Sequence, residues 1–128
     1  ELLKNCKYIV LTLPLNKSSY HLFDQKTFKI MRKDAYLINV ARGKIINEFD
    51  LVDALKKRKI MGAGLDVFEF EPEVNKFLYK LKNVVLLPHM GSATKKTRNE
   101  MMKLACDNVI DFVFKNKIDN LVNKEILL

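Results

Sequence analysis

An α/β fold, a parallel sheet with helices on its faces, follows from three features of these 128 residues. Short apolar runs rich in Val, Ile and Leu recur along the chain without strict alternation, which is how strands buried on both faces of a parallel sheet read. Segments with the helical period lie between them. This strand–helix alternation predicts right-handed crossovers and helices on both faces. Polar or glycine-containing stretches follow nearly every run, so they collect at one edge of the sheet, where ligands of such folds bind.

The runs cover residues 8–13 (YIVLTL), 35–40 (AYLINV), 62–68 (GAGLDVF) and 84–87 (VVLL). Asp24 is placed to cap a short helix over 24–32, with Phe28 and Met31 three apart on one side. Asn47 is placed to cap a second, NEFDLVDALKKRK, whose apolar stripe is Leu51, Val52 and Leu55. Asp50 suits the positive N-terminal end of that helix, and the basic residues 56–59 suit the other end. The third helix, over 94–115, is the clearest: Met101, Leu104, Ala105, Val109, Phe112 and Val113 keep the helical period. Residues 69–83 are more irregular, broken at Pro72. No repeat, low-complexity segment or linker interrupts the pattern.

Composition narrows the function classes. Hydrophobic residues make up 48% and charged residues 30% of the chain, the balance of a globular protein. No apolar run approaches the roughly 18 residues that span a bilayer, and the N-terminus lacks the pattern of a signal peptide. No membrane partner is expected. Net charge is +8, but the lysines are dispersed, so a small anion or a phosphate-bearing cofactor is the expected partner and nucleic acid is not. Cys6 and Cys106 have neither metal nor redox spacing; two reduced thiols in a cytoplasmic setting are expected, and no metal site. The chain starts at Glu1 without an initiator methionine, which suggests a fragment or a processed chain.

Six side chains in or just after the runs are candidates for chemistry. Arg42, in VARGK, offers a planar cationic fork that matches a carboxylate, or else a surface salt bridge. Asp66 lies in an apolar run, where an ionised carboxylate needs hydrogen bonds; it either serves a site or caps nearby backbone. Glu69, Glu71 and Glu73 crowd one loop, and residue chemistry alone does not choose among them. His89 ends VVLLPH, where an imidazole oriented by a carboxylate moves protons near neutral pH, or merely satisfies a strand end. His21, in SSYHLF, has no comparable context. A fork for a carboxylate, an imidazole and a supporting acid on one sheet edge are the parts that a hydroxyl–carbonyl interconversion on a small acid requires.

The ordered motifs ARG, GLDVFEFEP and PHMGSAT, at compatible intervals, resemble the D-isomer-specific 2-hydroxyacid dehydrogenases over nearly the whole chain, with an ending most similar to the glyoxylate and hydroxypyruvate reductase branch. The resemblance implies the distal half of a Rossmann-type, doubly wound parallel sheet with flanking helices. It implies that residues 1–128 form part of an NAD(P)-binding domain, with 94–115 returning toward an absent lobe. It gives Arg42 the substrate's carboxylate and carbonyl end, His89 the role of proton donor, and Glu71, just before Pro72, the role of its partner. Asp66, Val40, Pro14 and Gly91 take the cofactor cleft, with Gly91 leaving room for nicotinamide and substrate, and Ser92 takes the substrate edge. The implied cofactor is NAD or NADP, the substrate a small 2-oxo or 2-hydroxy acid, and the full-length form a homodimer.

A glycine-rich GxGxxG loop is absent from the sequence, and GAG at 62–64 lies inside a strand run. The resemblance therefore implies a fragment that is inactive alone. Two other readings share the motifs. An NADH-sensing regulatory binder would resemble transcriptional corepressors of this fold, which typically carry a tryptophan soon after the histidine; this chain has none. A truncated remnant would keep the motifs without activity.

Overall fold

The structure, a computed structural model, describes residues 1–117, 119–123 and 125. It divides into two units, Glu1–Gly91 and Ser92–Leu128.

In the first unit four parallel strands run in sequence order: β1 (Tyr8–Leu11), β2 (Tyr36–Asn39), β3 (Gly62–Leu65) and β4 (Val84–Leu86). All four lie inside the expected runs and stop short of their ends. The leftover residues, such as Val40, Asp66 and Val67, form the loops at the carboxyl edge. The register pairs Ile9 with Leu37, Leu37 with Ala63, and Ala63 with Val84, so one row of side chains points into the core. That face packs with the helices α2 (Gln25–Ile30) and α3 (Glu48–Lys56) through Phe28, Leu51 and Leu55. The other face, with Tyr8, Val10 and Val85, is exposed. Helices on both faces were expected, but within this unit they cover one. Apolar β-branched content reports that both faces avoid charge, not that both are covered.

The caps form as expected. Asp24 Oδ1 accepts the Thr27 N–H at 2.9 Å, and Asn47 Oδ1 accepts that of Asp50 at 3.2 Å. The stripe Leu51, Val52 and Leu55 is buried. Three short elements go unannounced by periodicity: α1 (Leu2–Asn5) and the 3-10 turns Gly43–Ile45 and Leu78–Lys80. Each is too brief to display a helical period.

The second unit is built on α4 (Lys95–Lys115), capped by Thr94, whose Oγ1 accepts the Thr97 N–H at 3.1 Å. Its apolar stripe is fully formed, yet none of its residues is buried. Among the described residues no helix is long and apolar enough to cross a membrane.

Candidate active site

The segment after β2 is braced from within. Asn39 is fully buried; its Oδ1 accepts the Ala41 N–H at 3.1 Å and its Nδ2 donates to the Arg42 carbonyl at 3.0 Å. These bonds turn the chain sharply and leave the Arg42 side chain exposed, with Nη1 donating to the Ala41 carbonyl at 2.6 Å. Gly43 then passes so near the next loop that a Cβ would lie 1.9 Å from the Phe68 carbonyl carbon. Only glycine fits there.

Asp66 follows β3 and is buried. Its oxygens accept the N–H groups of Met90 and Gly91, both at 2.8 Å. The charge is thus satisfied by backbone donors, and the loop after β4 is fastened to the end of β3. Asp66 thus caps backbone 24 and 25 residues further along the chain. A Cβ on Gly91 would sit 3.2 Å from Asp66 Oδ2, so the missing side chain also serves this close approach.

His89 hangs from the loop that Asp66 holds, with φ of 52°, a left-handed conformation uncommon for a residue with a side chain. Such backbone is retained where surrounding bonds determine it and concentrates at functional sites. Its Nδ1 lies 3.0 Å from Glu71 Oε2, and Glu71 Oε1 accepts the Phe68 N–H at 2.8 Å. Partial burial acts to raise the Glu71 carboxyl. The Phe68 N–H, His89 and Arg42 outweigh it, and the group lies below the usual glutamate value. An ionised Glu71 makes Nδ1 the protonated nitrogen facing it, which leaves Nε2 for a ligand. Nε2 has no hydrogen-bond partner among the described residues.

Arg42, Glu71 and His89 line one cavity of about 580 Å³, together with Leu15, Tyr20 and Phe70. A second, of about 680 Å³, lies over the ends of β1 and β2 and is lined by Leu13, Pro14, Val40 and Ala41. Leu15 and Arg42 line both. The two cavities are therefore neighbours, with the arginine and Leu15 between them. Ser92 is exposed and is the first residue of the second unit.

Residues 1–91 match the family described as D-isomer specific 2-hydroxyacid dehydrogenase, NAD binding domain. The chain belongs to this family. A glyoxylate reductase of Thermococcus litoralis is 48% identical over 126 residues, which is 98% of this chain and 38% of that protein. The chain thus spans well under half the length of that relative. Among solved structures, a glyoxylate reductase from Paecilomyes thermophila superposes with a TM-score of 0.88 at 35% identity, covering 97% of this chain and 38% of that one. An NADPH-dependent glyoxylate/hydroxypyruvate reductase from Sinorhizobium meliloti, in complex with NADP and malonate, gives 0.87 at 35% identity, covering 91% and 37%.

The fold and the family's cofactor agree with the expectation: this is an α/β, NAD-binding domain of the 2-hydroxyacid dehydrogenases. The residues present fit one end of such a cofactor. The cavity over the ends of β1 and β2 offers the apolar side chains of Leu13, Pro14 and Val40 to a flat ring. A glycine-rich phosphate loop is not among the 128 residues. Among the described residues no cluster of side chains is arranged to hold a metal ion.

Three side chains important to the geometry escaped the sequence. Asn39 looks like one more residue of an apolar run. Glu69 is indistinguishable from its acidic neighbours. His21, with no local signal, has Nε2 2.6 Å from Glu69 Oε1. That partner lies 48 residues away, and no local pattern encodes it.

Proposed function

We propose that this chain belongs to an oxidoreductase that reduces a small 2-oxo acid, such as glyoxylate or hydroxypyruvate, to the D-2-hydroxy acid with NADH or NADPH. The observation that supports it most strongly is the shared cavity of Arg42, Glu71 and His89. The names of the relatives point to the same substrate class.

In this reading the Arg42 fork binds the substrate carboxylate and steadies charge developing on the carbonyl oxygen. Ionised Glu71 holds the His89 ring by Nδ1–H and stabilises its cationic form. The Nε2–H then delivers its proton to the carbonyl oxygen as the carbon is reduced. A nicotinamide, when bound, supplies the hydride. Asp66 keeps the Met90–Gly91 backbone in place, so the histidine is presented from a fixed loop. As the resemblance implies, Pro14, Val40, Asp66 and Gly91 would border the nicotinamide, and Ser92 would take the substrate edge. A homodimer is the expected form of the longer protein.

The test is reduction of glyoxylate and hydroxypyruvate, with each cofactor, by the 128-residue chain and by the chain joined to an upstream glycine-rich segment and substrate lobe. Turnover is expected only in the joined form. Cofactor binding without turnover of any 2-oxo acid would refute the proposal and favour a sensor.

A further inference from the structure

Between the segment that carries Arg42 and the loop that carries Glu71 lies a second set of polar groups, in which Glu48 and Glu69 are buried and His21 is half-buried. Glu69 and Glu71 alternate in EFEP, and the backbone sends Glu69 inward while Glu71 stays partly exposed. Glu69 Oε2 accepts the Glu48 N–H at 2.9 Å, and the Glu69 N–H donates to Glu48 Oε1 at 2.6 Å. Each glutamate thus binds the other's backbone. Glu69 Oε1 meets His21 Nε2 at 2.6 Å, and the His21 N–H donates to the Lys44 carbonyl at 2.9 Å. Segments 20–23, 42–48 and 68–71 converge on this one carboxylate.

We propose that Glu69, gripped by His21 and the Glu48 N–H, is a positioning residue that sets the Arg42 turn against the Glu71–His89 pair. The proposal rests on reading their cavity as the 2-oxo acid site, which Glu69 also lines. Two carboxylates side by side in the interior are a poor way to gain stability. Glu48 is 2% exposed, its Oε2 has no partner among the described residues, and burial pushes its carboxyl above the usual value. Apolar side chains would fill the space at lower electrostatic cost. What the acids supply is direction: each bond fixes a backbone group at a defined distance. The Phe68 N–H, which anchors Glu71, immediately precedes Glu69 along the chain. Anion binding and proton delivery come from separate segments, and a misplacement of about 1 Å between such groups can cost about 100-fold in rate.

The test uses the full 128-residue chain, labelled with ¹⁵N and ¹³C. Its two histidines, His21 and His89, give two imidazole signal sets. The variants are Glu69→Ala, Glu69→Gln and, independently, His21→Gln. Core methyl signals of Leu37 and Leu65 report folding. In folded Glu69→Ala the His89 ring signals are expected to move, and the Glu71 carboxyl titration to climb toward the ordinary glutamate value. Glu69→Gln keeps an acceptor for the Glu48 N–H and should move both by less. If Glu69→Ala does not fold, His21→Gln decides, with displaced His89 signals expected. Movement of His21 signals alone, with His89 and Glu71 as in the unaltered chain, would overturn the proposal. Failure of the 2-oxo acid reading shows separately, as absent reductase activity in the unaltered joined protein, and leaves these spectra unchanged.

Discussion

His21–Glu69 and His89–Glu71 are the same chemical pair in two settings. The inner pair has side chains 25% and 7% exposed and a contact of 2.6 Å; the outer pair is 52% and 36% exposed at 3.0 Å. Both histidines have φ near +50°, so backbone conformation does not separate them. The difference lies in what else the carboxylates hold. Glu69 is committed to His21 and to the Glu48 N–H, and its imidazole partner is stacked on Tyr20 at 4.0 Å. Glu71 has one anchoring backbone donor, and its histidine keeps a ring nitrogen open beside Arg42's cavity. One pair is spent on architecture and the other is left with chemical capacity. An imidazole–carboxylate contact alone therefore does not mark a reacting group.

Breaking this contrast gives the largest expected effect. In an active protein that carries this chain, His89→Ala should lower turnover by about 100- to 10,000-fold while cofactor affinity and melting temperature stay close to their original values. His21→Ala should instead lose about 1–3 kcal/mol of stability by leaving Glu69 underpartnered, with a smaller fall in turnover. Steady-state kinetics and thermal melts separate the two. Equal loss of turnover and cofactor affinity in His89→Ala would make that histidine structural.

Gly43→Ala attacks both pairs at once, because a methyl group cannot share space with the Phe68 carbonyl. A loss of about 2–3 kcal/mol or more is expected, read by denaturant unfolding. Arg42→Lys is milder. A point charge cannot reproduce the fork, so the Michaelis constant for the 2-oxo acid should rise about tenfold while that for the cofactor does not move. Near-normal substrate affinity would contradict Arg42's assigned role.

The smallest effects concern pH, and the two glutamates oppose each other. Glu71 is lowered in the folded protein, so its contribution is present above the ordinary glutamate value and is lost as pH falls through its lowered one. Glu48 is raised, mainly by burial, so its contribution is full below the ordinary value and is lost as pH rises through its raised one. Melting curves across mild acid should show Glu71→Gln flattening the acid-side loss and Glu48→Gln flattening the decline toward neutrality. Because Glu71 is partly exposed, its effect should be the weaker.

Much of the framework was legible in the residues. The strands fall within their apolar runs, and Asp24, Asn47 and Thr94 cap where short polar side chains precede a helical period. Comparison of α3 with α4 shows where that legibility stops. Both carry an apolar stripe, but Leu51 and Leu55 are buried whereas Leu104 and Val109 are exposed. Periodicity encodes the helix and not its partner. The site divides similarly. Arg42 and His89 stand out because charged or titratable groups at strand ends are conspicuous, and Glu71 was singled out only by its motif. Asn39 acts through bonds to backbone, and the His21–Glu69–Glu48 set through bonds between residues 21 or 48 positions apart, which leave no local pattern.

In the proposed enzyme one of two similar histidines, His89, faces a bound 2-oxo acid and the other does not. Oxamate, an unreactive stand-in for such an acid, added with reduced cofactor while the ring ¹⁵N signals of both histidines are followed, distinguishes them. A saturable shift of the His89 signals, little change at His21, and loss of the response in Arg42→Lys are expected. Equal shifts at both histidines, or a response that survives Arg42→Lys unaltered, would contradict this assignment.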